Sequence, residues 1–153
     1  MPKIVLVNPE IPPNTGNIAR TCAATDTPLH LVMPIGFELS DKYLKRAGLD
    51  YWPYVDLHLH ESIVDFWHHA QSEGGRLIGF SARGTDRYTD LTYRPNDWLI
   101  FGKESQGLSA DAIAQCHQLV TIPMNTTYVR SLNLSVSAAV GLFEALRQIN
   151  LSS

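Results

Sequence analysis

The hydrophobic residues of this 153-residue chain fall largely into short uninterrupted runs, each followed by glycine, proline or a polar residue. Strands covered on both faces lose the alternation of apolar and polar positions, so such runs predict buried strands of a parallel sheet. The runs lie at Ile4–Val7, Leu29–Met33, Leu77–Phe80, Leu99–Phe101 and Leu119–Ile122. A further segment, Val55–His60, alternates apolar and polar residues and predicts a strand with one face in solvent.

Segments with helical spacing and capping residues separate the predicted strands. Asn14 or Thr15 is expected to cap a helix of small residues that continues through Ala24. The other predicted helices are Ser40–Ala47 with Gly48 as its stop, Ser62–Ala70, Ser109–Gln115 and Leu134–Ile149. Alternating strands and helices predict an α/β fold with a mostly parallel sheet and helices on both faces. Without a repeat or a linker, residues 1–153 are expected to form one domain.

The last predicted helix carries apolar residues on most of its surface. Its two apolar stripes are Val136, Ala139, Val140, Phe143 and Leu146 on one side, and Ala138, Leu142, Ala145 and Ile149 on the other. A helix of this kind has to be buried on most of its surface. One stripe is therefore expected to pack on the sheet and the other on a second subunit, which predicts a homodimer.

Loops rich in glycine and polar residues follow two of the predicted strands, Leu99–Phe101 and Leu119–Ile122. A third loop, Asn125–Asn133, precedes the last helix. Ligands of open α/β sheets bind outside the carboxyl ends of the strands. The three loops are therefore expected to converge on one pocket.

Composition narrows the class of protein. Hydrophobic residues make up 44% and charged residues 18% of the chain, as in a soluble globular protein. No run approaches the roughly 20 apolar residues of a membrane span, and the N-terminal run is too short for a signal peptide. Cys22 and Cys116 are too few and too far apart to indicate a disulfide framework or a zinc site. A cytoplasmic location is expected.

The net charge of −3 counts against a nucleic-acid partner unless basic residues cluster. Two groups do so in part: Lys42, Lys45 and Arg46, and Arg83, Arg87 and Arg94. Taken alone, either group is better explained as a solvated surface.

Two familiar nucleotide-binding motifs are absent. The loop after the first strand holds a single glycine, so it lacks the G-x-G-x-x-G fingerprint. Gly102 and Gly107 have the spacing of a P-loop, but Leu108-Ser109 stands where that loop needs Lys-Ser/Thr. Either the two glycines allow another ligand to approach the backbone closely, or they form ordinary tight turns.

The histidines raise the question of a metal. His58 and His60 share one strand face, and His68-His69 follow shortly after. A metal site needs a matched ligand set and supporting groups around it, and the sequence shows neither. No metal is expected.

Three motifs together are far more specific than any one of them. They are Asn14-x5-Arg20, Phe101-Gly-x-Glu-x2-Gly-Leu, and Ile122-Pro-Met followed by Ser131-Leu-Asn-Leu-Ser-Val-Ser. This set resembles the motifs of the SPOUT methyltransferases, in the TrmH-type branch that methylates ribose 2′-hydroxyls of RNA. The stretches Glu10-Ile-Pro-Pro-Asn-Thr-Gly-Asn-Ile and Arg46-Ala-Gly-Leu-Asp-Tyr are similar to those of members that modify the tRNA wobble nucleotide, cytidine or uridine 34.

The resemblance implies a fold, a cofactor and a set of contacts. The fold is an α/β domain with a C-terminal trefoil knot that works as a homodimer, and the methyl donor is S-adenosylmethionine, which leaves as S-adenosylhomocysteine. The residues that match cofactor contacts in the family are Phe80, Gly102, Gly107, Ile122, Ser131 and Leu132.

Arg20 matches the arginine that the family uses at the ribose, with Asn14, Glu104 and Asn133 as its polar partners. A guanidinium stays protonated, so Arg20 is better suited to hold a phosphate and orient the hydroxyl than to act as a base. The sulfonium donor needs no metal.

The expected partner is the anticodon stem-loop of tRNA. Lys45, Arg46 and Arg130 are expected to contact it.

Two alternative functions stay open. One is a related enzyme that acts on another RNA, such as ribosomal RNA, although such relatives often carry an added RNA-binding domain. A non-catalytic knotted RNA-binding protein is the other alternative, against which the matching polar residues argue.

Overall fold

The computed structural model describes residues 1–40, 42, 46 and 51–152. The strands are β1 (Lys3–Val7), β2 (Leu29–Val32), β3 (Leu57–His60), β4 (Leu77–Phe80), β5 (Asp86–Arg87), β6 (Trp98–Phe101) and β7 (Gln118–Thr121). The helices are α1 (Pro12–Ala24), α2 (Ile63–Glu73), α3 (Ala110–Gln115) and α4 (Leu134–Ser152), and Trp52–Tyr54 forms one 3₁₀ turn. The described strands form one seven-stranded sheet in the order β3-β2-β1-β6-β4-β7-β5, and every neighbouring pair is parallel. The predicted α/β fold with a parallel sheet is confirmed.

The predicted strands are all present, with ends shifted by one or two residues. The strand predicted at Val55–His60 begins at Leu57. Strand β5 was not predicted, because its two exposed residues, Asp86 and Arg87, carry no hydrophobic signal. Pairing with β7 at the sheet edge produces β5, and that pairing is a tertiary contact.

The predicted cap of the first helix is wrong. Helix α1 begins at Pro12, with Ile11 as a cap residue that makes no side-chain cap hydrogen bond. Proline suits the first turn of a helix because its φ is already helical and its missing N–H would have no partner there. Asn14 therefore lies inside the helix, 6% exposed, and its side chain is available for contacts outside α1.

The sheet separates two hydrophobic clusters. One cluster combines strand residues such as Ile4 with residues of α1 and α4, including Ile18 and Leu142. The other combines Trp98 with residues of α2 and α3, including Phe66 and Ala112. The helices thus cover both faces of the sheet, with α1 and α4 in contact on one of them.

Helix α4 buries one of its two apolar stripes. Ala138, Leu142 and Ala145 are at most 2% exposed, whereas Val136 is 47% and Phe143 53% exposed. The second stripe is therefore only partly covered within the described part of one chain, since Ala139, Val140 and Leu146 are half-buried.

The predicted Ser40–Ala47 helix and its stop at Gly48 fall mostly outside the described residues, although Lys42 and Arg46 are helical.

None of the described helices combines the length and the apolar character that a membrane span requires.

Candidate active site

A cavity of about 480 Å³ opens at the carboxyl ends of β4, β6 and β7. The residues around it come from the loops after these strands, from the start of α1 and from the segment before α4. All six predicted cofactor contacts line it: Phe80, Gly102, Gly107, Ile122, Ser131 and Leu132. Asn14, Glu104, Asn133 and Arg130 line it as well. The predicted convergence of the loops on one pocket is thus seen in the structure.

Aromatic and aliphatic side chains form part of the cavity wall. The rings of Phe80 and Phe101 stack with centroids 4.5 Å apart and planes 20° apart. Gly141 of α4 lies against this pair, since a Cβ built on it would come within 2.7 Å of the Phe80 ring. The helix therefore packs directly on the wall, which keeps the two rings in place.

The loop after β6 folds tightly upon itself. The N–H of Gly107 donates to the carbonyl oxygen of Lys103 at 2.8 Å, and Gly107 has a φ of +68°. A Cβ built on Gly102 would lie 2.0 Å from the carbonyl carbon of Gly107. The backbone of this loop therefore needs glycine at both positions, for close approach at Gly102 and for a left-handed φ at Gly107.

A chain of hydrogen bonds joins Glu104, Asn14 and Asn133. The Nδ2 of Asn14 donates to a carboxylate oxygen of Glu104 at 3.3 Å, and the Nδ2 of Asn133 donates to the Oδ1 of Asn14 at 3.0 Å. The Oδ1 of Asn133 also accepts from the N–H and hydroxyl of Ser135 in the first turn of α4. These side-chain hydrogen bonds join three segments distant in sequence at the cavity: the start of α1, the loop after β6 and the residues before α4.

The Glu104 carboxylate also holds the start of α1. Its two oxygens accept the backbone N–H groups of Glu10 and Ile11, each at 2.8 Å. A negative charge at a helix N-terminus is favourable because the N–H groups there lack partners within the helix. Glu104 thus replaces the side-chain cap that α1 lacks.

A second carboxylate, that of Glu10, bonds in turn to the loop after β6. The N–H and the hydroxyl of Ser105 donate to Oε1 of Glu10, at 2.9 and 2.6 Å. These two hydrogen bonds lower the pKa of Glu10. The sequence indicates no role for Glu10 beyond its place in a motif, because only the fold brings it next to Ser105, 95 positions away.

Arg20 is not brought to its three predicted partners. It is exposed on α1, its guanidinium carbon lies 4.8 Å from the centre of the Tyr51 ring, and Nη2 lies 3.5 Å from the Tyr51 hydroxyl. Arg20 does not line the cavity. Within one protomer, Arg20 therefore lies apart from the hydrogen-bonded side chains of Asn14, Glu104 and Asn133.

Three cations stand at the cavity instead: Arg83, Lys103 and Arg130. None of them forms an ion pair among the described residues. Of the predicted RNA contacts, Arg130 lies here and Arg46 is exposed, whereas Lys45 lies outside the described residues. Arg83 could be suspected only as part of a basic group, and the sequence contained no signal for Lys103.

Replacing Glu104 by glutamine tests whether the carboxylate holds the start of α1 in place. The amide would present an NH₂ group to one of two N–H donors, so Glu104→Gln should lower the free energy of unfolding by about 2 kcal/mol. Urea denaturation measures the change. Glu61→Gln, which changes an exposed glutamate on another loop, is the matched control and should be neutral. Equal stability of the two variants would contradict the role assigned to Glu104.

Comparisons with known proteins agree on the family. Residues 1–143 match the SpoU rRNA Methylase family. A Synechocystis protein with the provisional name tRNA (cytidine(34)-2′-O)-methyltransferase is 61% identical, over 97% of this chain and 97% of the relative. A Burkholderia ambifaria protein named tRNA (cytidine(34)-2′-O)-methyltransferase is 44% identical, over 95% and 94% of the two chains. A solved structure from work on 2-OH methylation of C/U34 on tRNA superposes with a TM-score of 0.93 at 49% identity, over 98% and 97% of the chains.

The similarity thus extends over nearly the full length of relatives of about the same size, and the fold superposes on that of the solved structure. The resemblance seen in the motifs is confirmed, and the chain belongs to the SpoU family of RNA methylases.

Proposed function

We propose that this protein transfers a methyl group from S-adenosylmethionine to the ribose 2′-oxygen of the wobble nucleotide, cytidine or uridine 34, of tRNA. The observation that carries the proposal is the cavity at the carboxyl edge of the sheet, where the polar chain of Asn14, Glu104 and Asn133 meets the glycine loop after β6. The names of the 61% and 44% identical relatives supply the tRNA position.

The cavity fits the cofactor. Its volume of about 480 Å³ falls in the range of small-molecule sites. Phe80, Ile122 and Leu132 offer apolar surface for an adenine, and the loops supply backbone N–H and C=O groups for its edge. Gly102 lets the loop after β6 close on itself beside the cavity, since an added Cβ would meet the backbone of Gly107. We assign cofactor binding to these residues together with Gly107 and Ser131.

The reaction is a substitution at the methyl carbon. Bound S-adenosylmethionine supplies a sulfonium methyl: the 2′-oxygen bonds to this carbon, the carbon–sulfur bond breaks, the hydroxyl proton passes to solvent, and S-adenosylhomocysteine remains. We assign to Arg20 the positioning of the ribose, through a two-pronged contact to the neighbouring phosphate. A guanidinium remains protonated, so this role needs no proton transfer by Arg20.

Unpaired cations support an RNA substrate despite the net charge of −3. Arg83, Lys103 and Arg130 face the cavity without ion-pair partners among the described residues, so they are available to phosphates. We assign phosphate contacts of the anticodon stem-loop to Arg130, to Arg46 and, from the motif resemblance, to Lys45. A tRNA substrate also agrees with the expected cytoplasmic location.

A second copy of the chain is the proposed cover for the exposed stripe of α4. Val136 and Phe143 are about half exposed, and apolar surface of this kind is typical of subunit interfaces. Helix α1, which carries Arg20, contacts α4 on the same face of the sheet.

The proposed knot concerns the same C-terminal segment. We infer from the motif resemblance that the chain after β7 is threaded as a trefoil knot within one domain. The segment 122–133 lines the cavity together with the loops after β4 and β6, and Asn133 bonds to Asn14 across 119 positions. These long-range contacts support the threading.

Substitution of Phe143 tests the dimer. Phe143→Asp would place a charge in the proposed interface and should give a monomer at micromolar concentration, whereas the parent chain should be a dimer. Light scattering measures the mass. Val64→Asp is the matched control, because Val64 is 54% exposed on α2 and should leave the dimer intact. A parent chain that is monomeric would contradict the proposal.

Mapping of labelled methyl groups tests the activity itself. The purified protein, incubated with labelled S-adenosylmethionine and total tRNA, should label the 2′-oxygen of nucleotide 34. Label in ribosomal RNA offered in the same way, with none in tRNA, would favour the alternative substrate. Cofactor binding by calorimetry without any transfer would favour a non-catalytic RNA-binding protein.

A further inference from the structure

A group of histidines lies under α2, on the sheet edge formed by β2 and β3. His30 comes from β2, His60 from β3 and His69 from α2. One ring nitrogen of each lies within 4.8 Å of those of the other two. The sequence does not group His30 with the other histidines, because only the pairing of β2 with β3 sets it opposite His58 and within reach of His60.

The nitrogens of the group converge. Nδ1 of His30 and Nε2 of His60 are 2.8 Å apart, so their lone pairs and N–H groups are aimed at the same small volume. In a tetrahedral zinc site with bonds of 2.0–2.1 Å, neighbouring ligand nitrogens are roughly 3.3 Å apart. A movement of about half an ångström would therefore convert the imidazole–imidazole hydrogen bond into one edge of such a site.

The third histidine has an unsatisfied atom. Nε2 of His69 is buried and makes no hydrogen bond in the described part of the chain. A carboxylate oxygen of Glu73 lies 3.3 Å from it, without the geometry of a hydrogen bond. Buried polar atoms in proteins nearly always have a hydrogen-bond partner, so this nitrogen, with only the Glu73 carboxylate near it, has a lone pair or N–H left over for a ligand.

The surroundings suit a metal ion. His30 and His60 are buried, at 2% and 8% exposed, so little solvent reaches the space between their ring nitrogens. Phe66 and Trp98 enclose the group from the side of the core. Glu73 supplies a negative charge beside it, as a fourth ligand or as the carboxylate that often supports a ligating histidine.

We propose that His30, His60 and His69 bind one divalent transition-metal ion, with zinc as the matching cation, and that Glu73 supports the site. The ion fastens the edge strand β3 and helix α2 to β2. The site lies apart from the cavity at the ends of β4, β6 and β7, so the metal is structural and takes no part in methyl transfer.

Zinc binding by the full-length protein, free of any histidine tag, tests the proposal. After equilibrium dialysis against zinc chloride and removal of excess, the parent chain should hold about one zinc per chain by elemental analysis. His69→Asn should lower zinc affinity by at least about tenfold. His68→Asn is the matched control, since His68 is the exposed neighbour on the same helix and should leave binding unchanged.

Two further measurements separate a specific site from loss of folding. Zinc at a hundredfold excess over its dissociation constant should raise the melting temperature of the parent chain and of His68→Asn by roughly 5–10 °C, but not that of His69→Asn. Cobalt(II) should give the intense visible absorption of a four-coordinate site in the parent chain and in His68→Asn, but not in His69→Asn. Equal zinc content in the parent chain and in His69→Asn would overturn the proposal, as would a loss of zinc in His68→Asn equal to that in His69→Asn. Either result would leave the histidines as a hydrogen-bonded group of imidazoles. Cofactor binding should be unchanged by chelation, so this result is independent of the proposed methyltransferase activity.

Discussion

Arg20→Ala is expected to lower single-turnover methylation of tRNA by at least about a hundredfold while leaving the affinity for S-adenosylmethionine nearly unchanged. Arg20 does not line the cavity, so its loss removes nothing from the cofactor site. Its loss does remove the group that we assign to the ribose and its phosphate. Arg20→Lys should recover little activity, because a point charge cannot reproduce a planar two-pronged contact.

The experiment needs rates at saturating tRNA together with separate binding measurements for each ligand. Arg94→Ala is the matched control, since this exposed arginine precedes β6, at the end of the strand away from the cavity, and should keep the parent rate. Arg130→Ala should instead weaken tRNA binding and flatten its salt dependence. A near-normal single-turnover rate for Arg20→Ala would remove Arg20 from the catalytic machinery.

The second large effect is expected at the glycine loop after β6. Gly102→Ala should weaken S-adenosylmethionine binding by about tenfold to a hundredfold. The added Cβ would lie 2.0 Å from the Gly107 carbonyl carbon, so the loop can accept it only by opening. Overpacking of this kind costs about 1–3 kcal/mol, and each 1.4 kcal/mol that disfavours the binding-competent loop costs a factor of ten in affinity.

Calorimetry with S-adenosylmethionine measures this effect, with circular dichroism to check that the variant is folded. Gly74→Ala is the matched control: Gly74 has a φ of +81°, so alanine is strained there too, but nothing lies within 4 Å of its added Cβ. Gly74 ends α2 and does not line the cavity. Unchanged cofactor affinity in Gly102→Ala would show that the cavity is not the cofactor site.

The elements of the fold were predictable from local features of the sequence. Leu77–Phe80 is bounded as predicted because an uninterrupted apolar run and the residues that break it are neighbours in the chain. Ser109 caps α3 as predicted, since a cap bonds to a backbone N–H only three residues away, and Ser62 caps α2 in the same way. The start of α1 was predicted wrongly because Asn14 has the chemistry of a cap and is used instead at long range.

The sequence by itself thus determined six of the seven described strands, the order of strands and helices along the chain, and which loops end at one edge of the sheet. These follow from hydrophobic periodicity and turn residues, which act over a few positions. Only the tertiary structure decided which side chains meet. Asn14 reaches Glu104 and Asn133 across 90 and 119 positions, and His30 reaches His60 through strand pairing. Arg20, on the same helix as Asn14, faces solvent and Tyr51 instead. Such partners depend on strand order and helix rotation, which no local pattern of residues encodes.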